Sequence, residues 1–243
     1  MIEGRNIYFG PLLWESKVEE EFCQKILNLI KSNDDTATDS FSHLDDARAI
    51  LAGKIEKEYF LPEENLSEIF EYMVPYVRSY VANTSIVNDM STVNVKNIDD
   101  HVDNILENLL VQFSRPWVNI QTAKEYNPPH THTGDLSYVL YLDVSPEMYK
   151  EENISTSAPN GSIDFIYGSL THTEDFDRDP NDPDLQYKML VKPLASVNKE
   201  PVTGTIFFFP SYLFHFVHGF NNPKLSRISM SGNIQLRGRR NQQ

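Results

Sequence analysis

Phe207-Phe208-Phe209-Pro210-Ser211-Tyr212-Leu213-Phe214-His215 carries an aromatic run into a proline-marked turn and then into a histidine that opens a further strand. Short aromatic and β-branched runs broken by Pro, Gly, Asn and Asp read as strands. Twelve residues on, Arg227-Ile228-Ser229-Met230-Ser231-Gly232-Asn233 alternates polar and apolar residues with the period of two that gives a strand two different faces. Upstream, Asn127-Pro128-Pro129-His130-Thr131-His132-Thr133-Gly134-Asp135 sets two histidines two residues apart beside another strand.

The same texture holds from Trp117 onward. Strands are predicted at Trp117–Thr122, Ser137–Asp143, Ser162–Tyr167, Met189–Lys192, Gly204–Phe209, His215–His218 and Arg227–Gln235. About seven strands with irregular turns predict a β-sandwich or jelly roll. The first half reads as helix. Ser16-Lys17-Val18-Glu19 has the form of a capping box ahead of Phe22, Ile26, Leu27 and Ile30 at helical spacing. Further helices are expected over Asp45–Tyr59, Glu64–Ala82 (kinked at Pro75) and Asp99–Gln112. The chain is therefore expected to be mainly β with N-terminal helices. Residues 1–114 would form a helical region packed on a core of residues 115–243, as one compact unit.

Composition narrows the function classes. Hydrophobic residues make up 40% of the 243, and 14 Phe, 12 Tyr and 2 Trp can fill a sizeable core. The formal charge of −14 disfavours a nucleic-acid partner. No apolar run approaches the roughly 20 residues of a membrane span, and no signal-peptide pattern is visible. A cytoplasmic protein is the expectation. The single cysteine, Cys23, lies on a predicted apolar stripe and reads as a buried thiol. Leu170 to Gln186 is rich in aspartate and reads as a solvated loop, with a lid for a basic substrate as the sharper alternative.

Side chains two apart on an extended segment point the same way, so His130 and His132 can face one metal, and a jelly roll can bring His215 beside them. Two imidazoles and a third ligand on one face of an octahedron leave three positions open, which suits non-haem Fe(II) binding a co-substrate and dioxygen together. His218 would point away from His215 on the same strand. On the Arg227 strand the polar set Arg227, Ser229, Ser231 and Asn233 shares one face. A guanidinium there can grip a carboxylate through two parallel hydrogen bonds, with Ser229 adding a third; an ordinary solvent-facing strand is the competing reading. Tyr141 either completes such a pocket or is an aromatic core residue. Asn119 and Gln121 share a face that could line the cavity.

As an ordered set, Trp117-Val118-Asn119, His130-Thr131-His132, Leu136-Ser137 through Tyr141-Leu142, Phe209-Pro210-Ser211 with His215, and Arg227-Ile228-Ser229 with Asn233 resemble the 2-oxoglutarate/Fe(II) oxygenase family common in marine bacteria and tailed cyanophages. The resemblance covers about Arg115 to Leu236 and extends more distantly to prolyl hydroxylases. It implies a double-stranded β-helix braced by the N-terminal helices. It also implies Fe(II) as the metal, 2-oxoglutarate as co-substrate with dioxygen, and hydroxylation of a small-molecule or peptide substrate, in the host cytoplasm if the chain is phage-encoded. Under that likeness a Tyr and an Arg hold the far carboxylate of 2-oxoglutarate, so Arg227 and Ser229, with Tyr141, are expected to fix it, and Asn119 is expected to line the same co-substrate site. One departure stands out: His132 occupies a position that is acidic in most of the wider superfamily. Asp135 is the alternative ligand. Two rivals stay open, a three-histidine dioxygenase that does not use 2-oxoglutarate and a non-enzymatic jelly-roll binding or structural module.

Overall fold

A computed structural model describes residues 10–31, 41, 43–92, 98–150, 160–167 and 196–239. Along the chain these form β1 (Trp14–Lys17), α1 (Glu20–Ile30), β2 (Glu58–Phe60), α2 (Leu66–Thr92), α3 (Ile98–Asn108), β3 (Leu109–Phe113) and β4 (Trp117–Gln121). There follow β5 (Asn127–His130), β6 (Leu136–Val144), β7 (Ile163–Ile166), β8 (Ser196–Lys199), β9 (Thr205–Pro210), β10 (Phe214–Val217) and β11 (Arg227–Gly238).

The strands make two antiparallel sheets. The larger runs β1-β9-β6-β11-β4-β2, with β3 pairing the far end of β11, and the smaller runs β5-β10-β7-β8. From β4 onward the chain passes back and forth between the sheets, which is the winding of a double-stranded β-helix. Strand β11 is the spine: it pairs β6 along one side, and β4 and then β3 along the other.

Period-two alternation sorts each central strand between two cores. Tyr138, Leu140 and Leu142 of β6 and Ile206 and Phe208 of β9 pack outward against α1 and α2. Their alternates Val139, Tyr141, Phe207 and Phe209 face inward against Ile163, Phe165 and Val217 of the smaller sheet. Each such buried side chain contributes about 1.5–3 kcal/mol of transfer free energy. The outer core is closed by Phe22, Cys23, Ile26 and Ile30 of α1 and by Ile69, Met73 and Val77 of α2. Cys23 is buried as expected, and burial pushes its thiol pKa up. Among the described residues no helix is long and apolar enough to cross a membrane.

The N-terminal half departs from its helical expectation. Ser16 is not a helix cap: it pairs Ile206 in the β1–β9 ladder, and α1 begins after Glu19, whose side chain makes no capping bond. The expected helix over Asp45–Tyr59 is absent. Only a single 3₁₀ turn (Arg48–Ile50) forms, and then β2. The backbone amides there bond to distant carbonyls instead, Ala47 N–H to Glu58 and Lys54 N–H to Tyr126. Gly53 sits mid-segment, where helix would cost about 1 kcal/mol relative to alanine. The expected helix to Gln112 stops at Asn108, and β3 adds to the larger sheet through β11. Helix α2 continues through the exposed Pro75 to Thr92. Strands β1, β2 and β3, all from the N-terminal half, are thus built into the larger sheet. The expected strand Met189–Lys192 and the acidic stretch of residues 170–186 lie outside the described residues.

Candidate metal centre and adjoining pocket

Three imidazoles converge where β5 meets β10. His130 and His215 are directly opposed in the β5–β10 register. His132 lies just beyond β5, where its backbone N–H donates to the Ser211 carbonyl in the turn between β9 and β10. One ligand atom from each of His130, His132 and His215 falls within 4.8 Å of the others. His132 Nε2 and His215 Nε2 stand 3.2 Å apart.

Backbone carbonyls set the ring orientations. His130 Nδ1–H donates to the Pro128 carbonyl at 2.7 Å, and His215 Nδ1–H donates to that of Leu213 at 3.0 Å. Each bond consumes the Nδ1 proton position and leaves Nε2 as a free lone pair, the outer-shell arrangement that orients metal-bound imidazoles. Burial lowers the pKa of all three. His132 is brought to about 4 by burial and the neighbouring His130, and His215 to about 3 chiefly by burial. His130 moves in the same direction. Neutral imidazoles at physiological pH are what a cation needs. Phe209 packs edge-on to His215, and the Trp117 ring lies 5.7 Å from that of His132.

Beside the histidines, the inner face of the larger sheet carries a polar row. Register places Glu58 of β2 next to Asn119 of β4, Asn119 next to Ser229 of β11, and Ser229 next to Tyr141 of β6. Arg227 is the next inward position on β11, and all of these line the same cavity as the three histidines. Arg227 is 2% exposed. Its Nη1 donates to the carbonyl of Gly161, a residue held at φ +67°, a conformation that favours glycine. Its Cζ lies 5.4 Å from the Tyr141 ring centre. Nε of Arg227 and Oγ of Ser229 are buried without a hydrogen-bond partner, and no ion pair to Arg227 forms among the described residues. A guanidinium left in that state is a receptor for an anion that the described residues do not provide. A carboxylate ligand fits it.

Other expected residues serve elsewhere. Asp135 is outside the histidine cluster: its carboxylate accepts from Leu236 N–H at 2.8 Å and pairs with Arg237. Gln121 donates to the carbonyls of Glu125 and His218, so it ties strands together rather than lining the cavity. Asn233 accepts from the Ser137 hydroxyl, which also bonds Ser211, as a strap across β9, β6 and β11. His218 turns away from the cluster and pairs with Asp164. The sequence reading overlooked Glu58 and Asn127 as cavity residues. Gly53 and the Tyr59-Phe60 pair were the signals that the Glu58 segment is not helical.

Residues 115–233 match the family model described as "Putative 2OG-Fe(II) oxygenase". No curated protein matches the sequence. Among solved structures, a Pseudomonas putida prolyl-4-hydroxylase is similar at 12% identity and TM-score 0.49, covering 93% of this chain and 93% of that one. EvdO2 from Micromonospora carbonacea var. aurantiaca is similar at 11% identity and TM-score 0.48, with 93% and 86% covered. A viral collagen prolyl hydroxylase from Paramecium Bursaria Chlorella virus-1 is similar at 11% identity and TM-score 0.45, with 91% and 94% covered.

Proposed function

Because residues 115–233 of this chain belong to the 2OG-Fe(II) oxygenase family, we propose that His130, His132 and His215 hold the iron, that Arg227 and Ser229 hold the far carboxylate of 2-oxoglutarate, and that the enzyme hydroxylates a small-molecule or peptide substrate. The observation that carries this reading is the pairing of a neutral three-histidine cluster with a buried guanidinium that finds no anion among the described residues, in one cavity. Fe(II) with 2-oxoglutarate and dioxygen supplies oxidative decarboxylation, in which one oxygen atom goes to succinate with release of CO2 and the other to a substrate C–H bond.

The chain's own residues divide the remaining work. Three neutral imidazoles leave the ion's full positive charge uncompensated, so the anionic co-substrate supplies the charge that a carboxylate ligand would otherwise bring. Arg227 positions that co-substrate through two parallel N–H donors, with the Ser229 hydroxyl as a further partner and Tyr141 as the ring over which the guanidinium rests. Asn119, next in the row, adds an amide to the same wall. Trp117 and Phe209, packed on the imidazoles, keep bulk water from the ligand nitrogens.

Aerobic incubation with Fe(II) and 1-¹⁴C-labelled 2-oxoglutarate tests the reading. Release of labelled CO2 with matching succinate, abolished in His215→Ala, is expected. Absence of 2-oxoglutarate turnover together with absence of metal-dependent 2-oxoglutarate binding would overturn it.

A further inference from the structure

Resting on the oxygenase reading above, we propose that Glu58, with the side-chain oxygens of Asn127 and Asn119, is the specificity-determining site for a substrate that carries a protonated nitrogen, an ammonium or a guanidinium. Glu58 ends the polar row at the sheet edge, two strands and about 10 Å from Ser229. The row therefore has an anion-receiving end at Arg227 and an anionic end at Glu58.

Three acceptors converge on this end of the cavity without a donor among the described residues. Glu58 is 2% exposed, and its carboxylate makes no hydrogen bond with the described residues that line the cavity. Asn127 Oδ1 and Asn119 Oδ1 are both buried without a hydrogen-bond partner among the described residues. A methyl group built on Gly53 would stand 2.3 Å from Asn127 Oδ1 and 3.4 Å from Glu58 Oε1, so these two oxygens close on one point over a residue that has no side chain. An ammonium with three donors, or a guanidinium with five, satisfies such a set; a neutral hydroxyl, with one donor, does not.

Among the described residues, neighbouring charges do not supply the missing cation. The Arg48 guanidinium is held by Asp46, the Lys54 ammonium lies over the Tyr126 ring and the Lys57 ammonium over that of Phe41. Glu125 adds negative charge, and its two oxygens are already taken by the backbone N–H groups of Glu56 and Thr122. Burial first, and then Glu125, push the Glu58 carboxyl up to about 7, with Asp46 adding to the rise and Arg48 opposing it. A buried carboxyl in that condition is stabilised as the anion by an incoming cation.

The experiment uses the full chain loaded with redox-silent Ni(II) and 2-oxoglutarate, and titrates two matched pairs of probes by ligand-observed NMR. Nα-acetyl-L-argininamide is compared with the neutral Nα-acetyl-L-citrullinamide, and cadaverine with 1,5-pentanediol. The cationic member of each pair is expected to bind at least about tenfold tighter, a difference of about 1.4 kcal/mol. Tightening is expected from pH 6 to pH 8. Glu58→Gln brings each pair to parity and removes the pH dependence while leaving Ni(II) and 2-oxoglutarate affinity unchanged; Asn127→Ala weakens the cationic probes several-fold. Equal binding within the pairs, no binding of either cation, or a preference that survives Glu58→Gln overturns the proposal while the oxygenase reading stands. Loss of metal-dependent 2-oxoglutarate binding in the wild-type protein instead overturns that reading, and the substrate site falls with it.

Discussion

His132 Nε2 lies 3.2 Å from His215 Nε2, the first nitrogen delivered from just beyond β5 and the second by β10 of the same sheet. Two nitrogens bonded at a right angle to one ion at about 2.1 Å stand about 3.0 Å apart, so the spacing is that of adjacent ligands on a single metal. Divalent metal is accordingly expected to raise the melting temperature of wild-type protein; at 100 times Kd the stabilisation is about 2.7 kcal/mol. His215→Ala should lose that increment, and chelation should erase it in the wild type. Differential scanning calorimetry with and without EDTA checks both, and an undiminished metal effect in the variant would place the ion elsewhere.

The β-rich half was legible because its chemistry and its period coincide: β11 keeps Arg227 and Ser229 inward and Ile228 and Met230 outward over a long strand. The histidine cluster could be read for the same reason, since a two-residue offset on extended backbone has one geometric outcome. Glu58 was not legible. Residues 45–60 lack a period of their own and are ordered by amides and carbonyls from β4 and the Tyr126 loop, far along the chain. Local propensity cannot register partners of that kind. The same holds for β1, where Ser16 resembles a helix cap by type but is claimed by the edge of β9.

Arg227 is expected to separate binding from stability. Arg227→Met removes a buried charge that has Gly161 O as its protein acceptor, so folding stability should be unchanged or higher by up to a few kcal/mol. Affinity for 2-oxoglutarate should fall by about 2–5 kcal/mol, roughly 30-fold to a few thousand-fold, because a buried charge pair with the ligand is lost. Isothermal titration of the Ni(II)-loaded variant, beside urea unfolding, measures the two quantities independently. Equal loss of both would make Arg227 a structural residue.

Acid should weaken the metal-free protein before ordinary acid denaturation begins. The folded state holds His132 at about 4 and His215 at about 3, below the ordinary value near 6.5, so the unfolded chain takes up protons that the folded chain refuses. Their contribution is complete above pH 6.5 and drains away as the pH falls toward those folded values, by at most about 1.4 kcal/mol per pH unit for each group. Glu58 acts in the opposite sense. Raised to about 7 from 4.5, it favours the folded state as the pH falls from 7 to 4.5. Melting temperatures from pH 7 to 5 should therefore decline in the wild type and decline more steeply in Glu58→Gln. A flat wild-type profile would contradict the burial of the imidazoles.

Tyr138 and Gly232 form a cross-strand pair whose two members should respond in opposite directions. The Tyr138 hydroxyl is buried without a hydrogen-bond partner among the described residues, and burial alone pushes its pKa up. Its ring lies across Gly232 of β11, where an added methyl would meet the hydroxyl at 2.6 Å and ring carbons at 2.9 Å. Gly232→Ala thus forces a fully buried ring against the Phe208 face, at a cost of about 1–3 kcal/mol. Tyr138→Phe removes an unsatisfied polar atom and keeps the ring, so it should be neutral or stabilising by about 1 kcal/mol. It should also soften the alanine substitution, because the closest contact is to the hydroxyl. Urea unfolding of the two single variants and the double variant reads this as a coupling free energy. Strict additivity of the two changes would mean that the strain falls on the strand backbone instead of the ring.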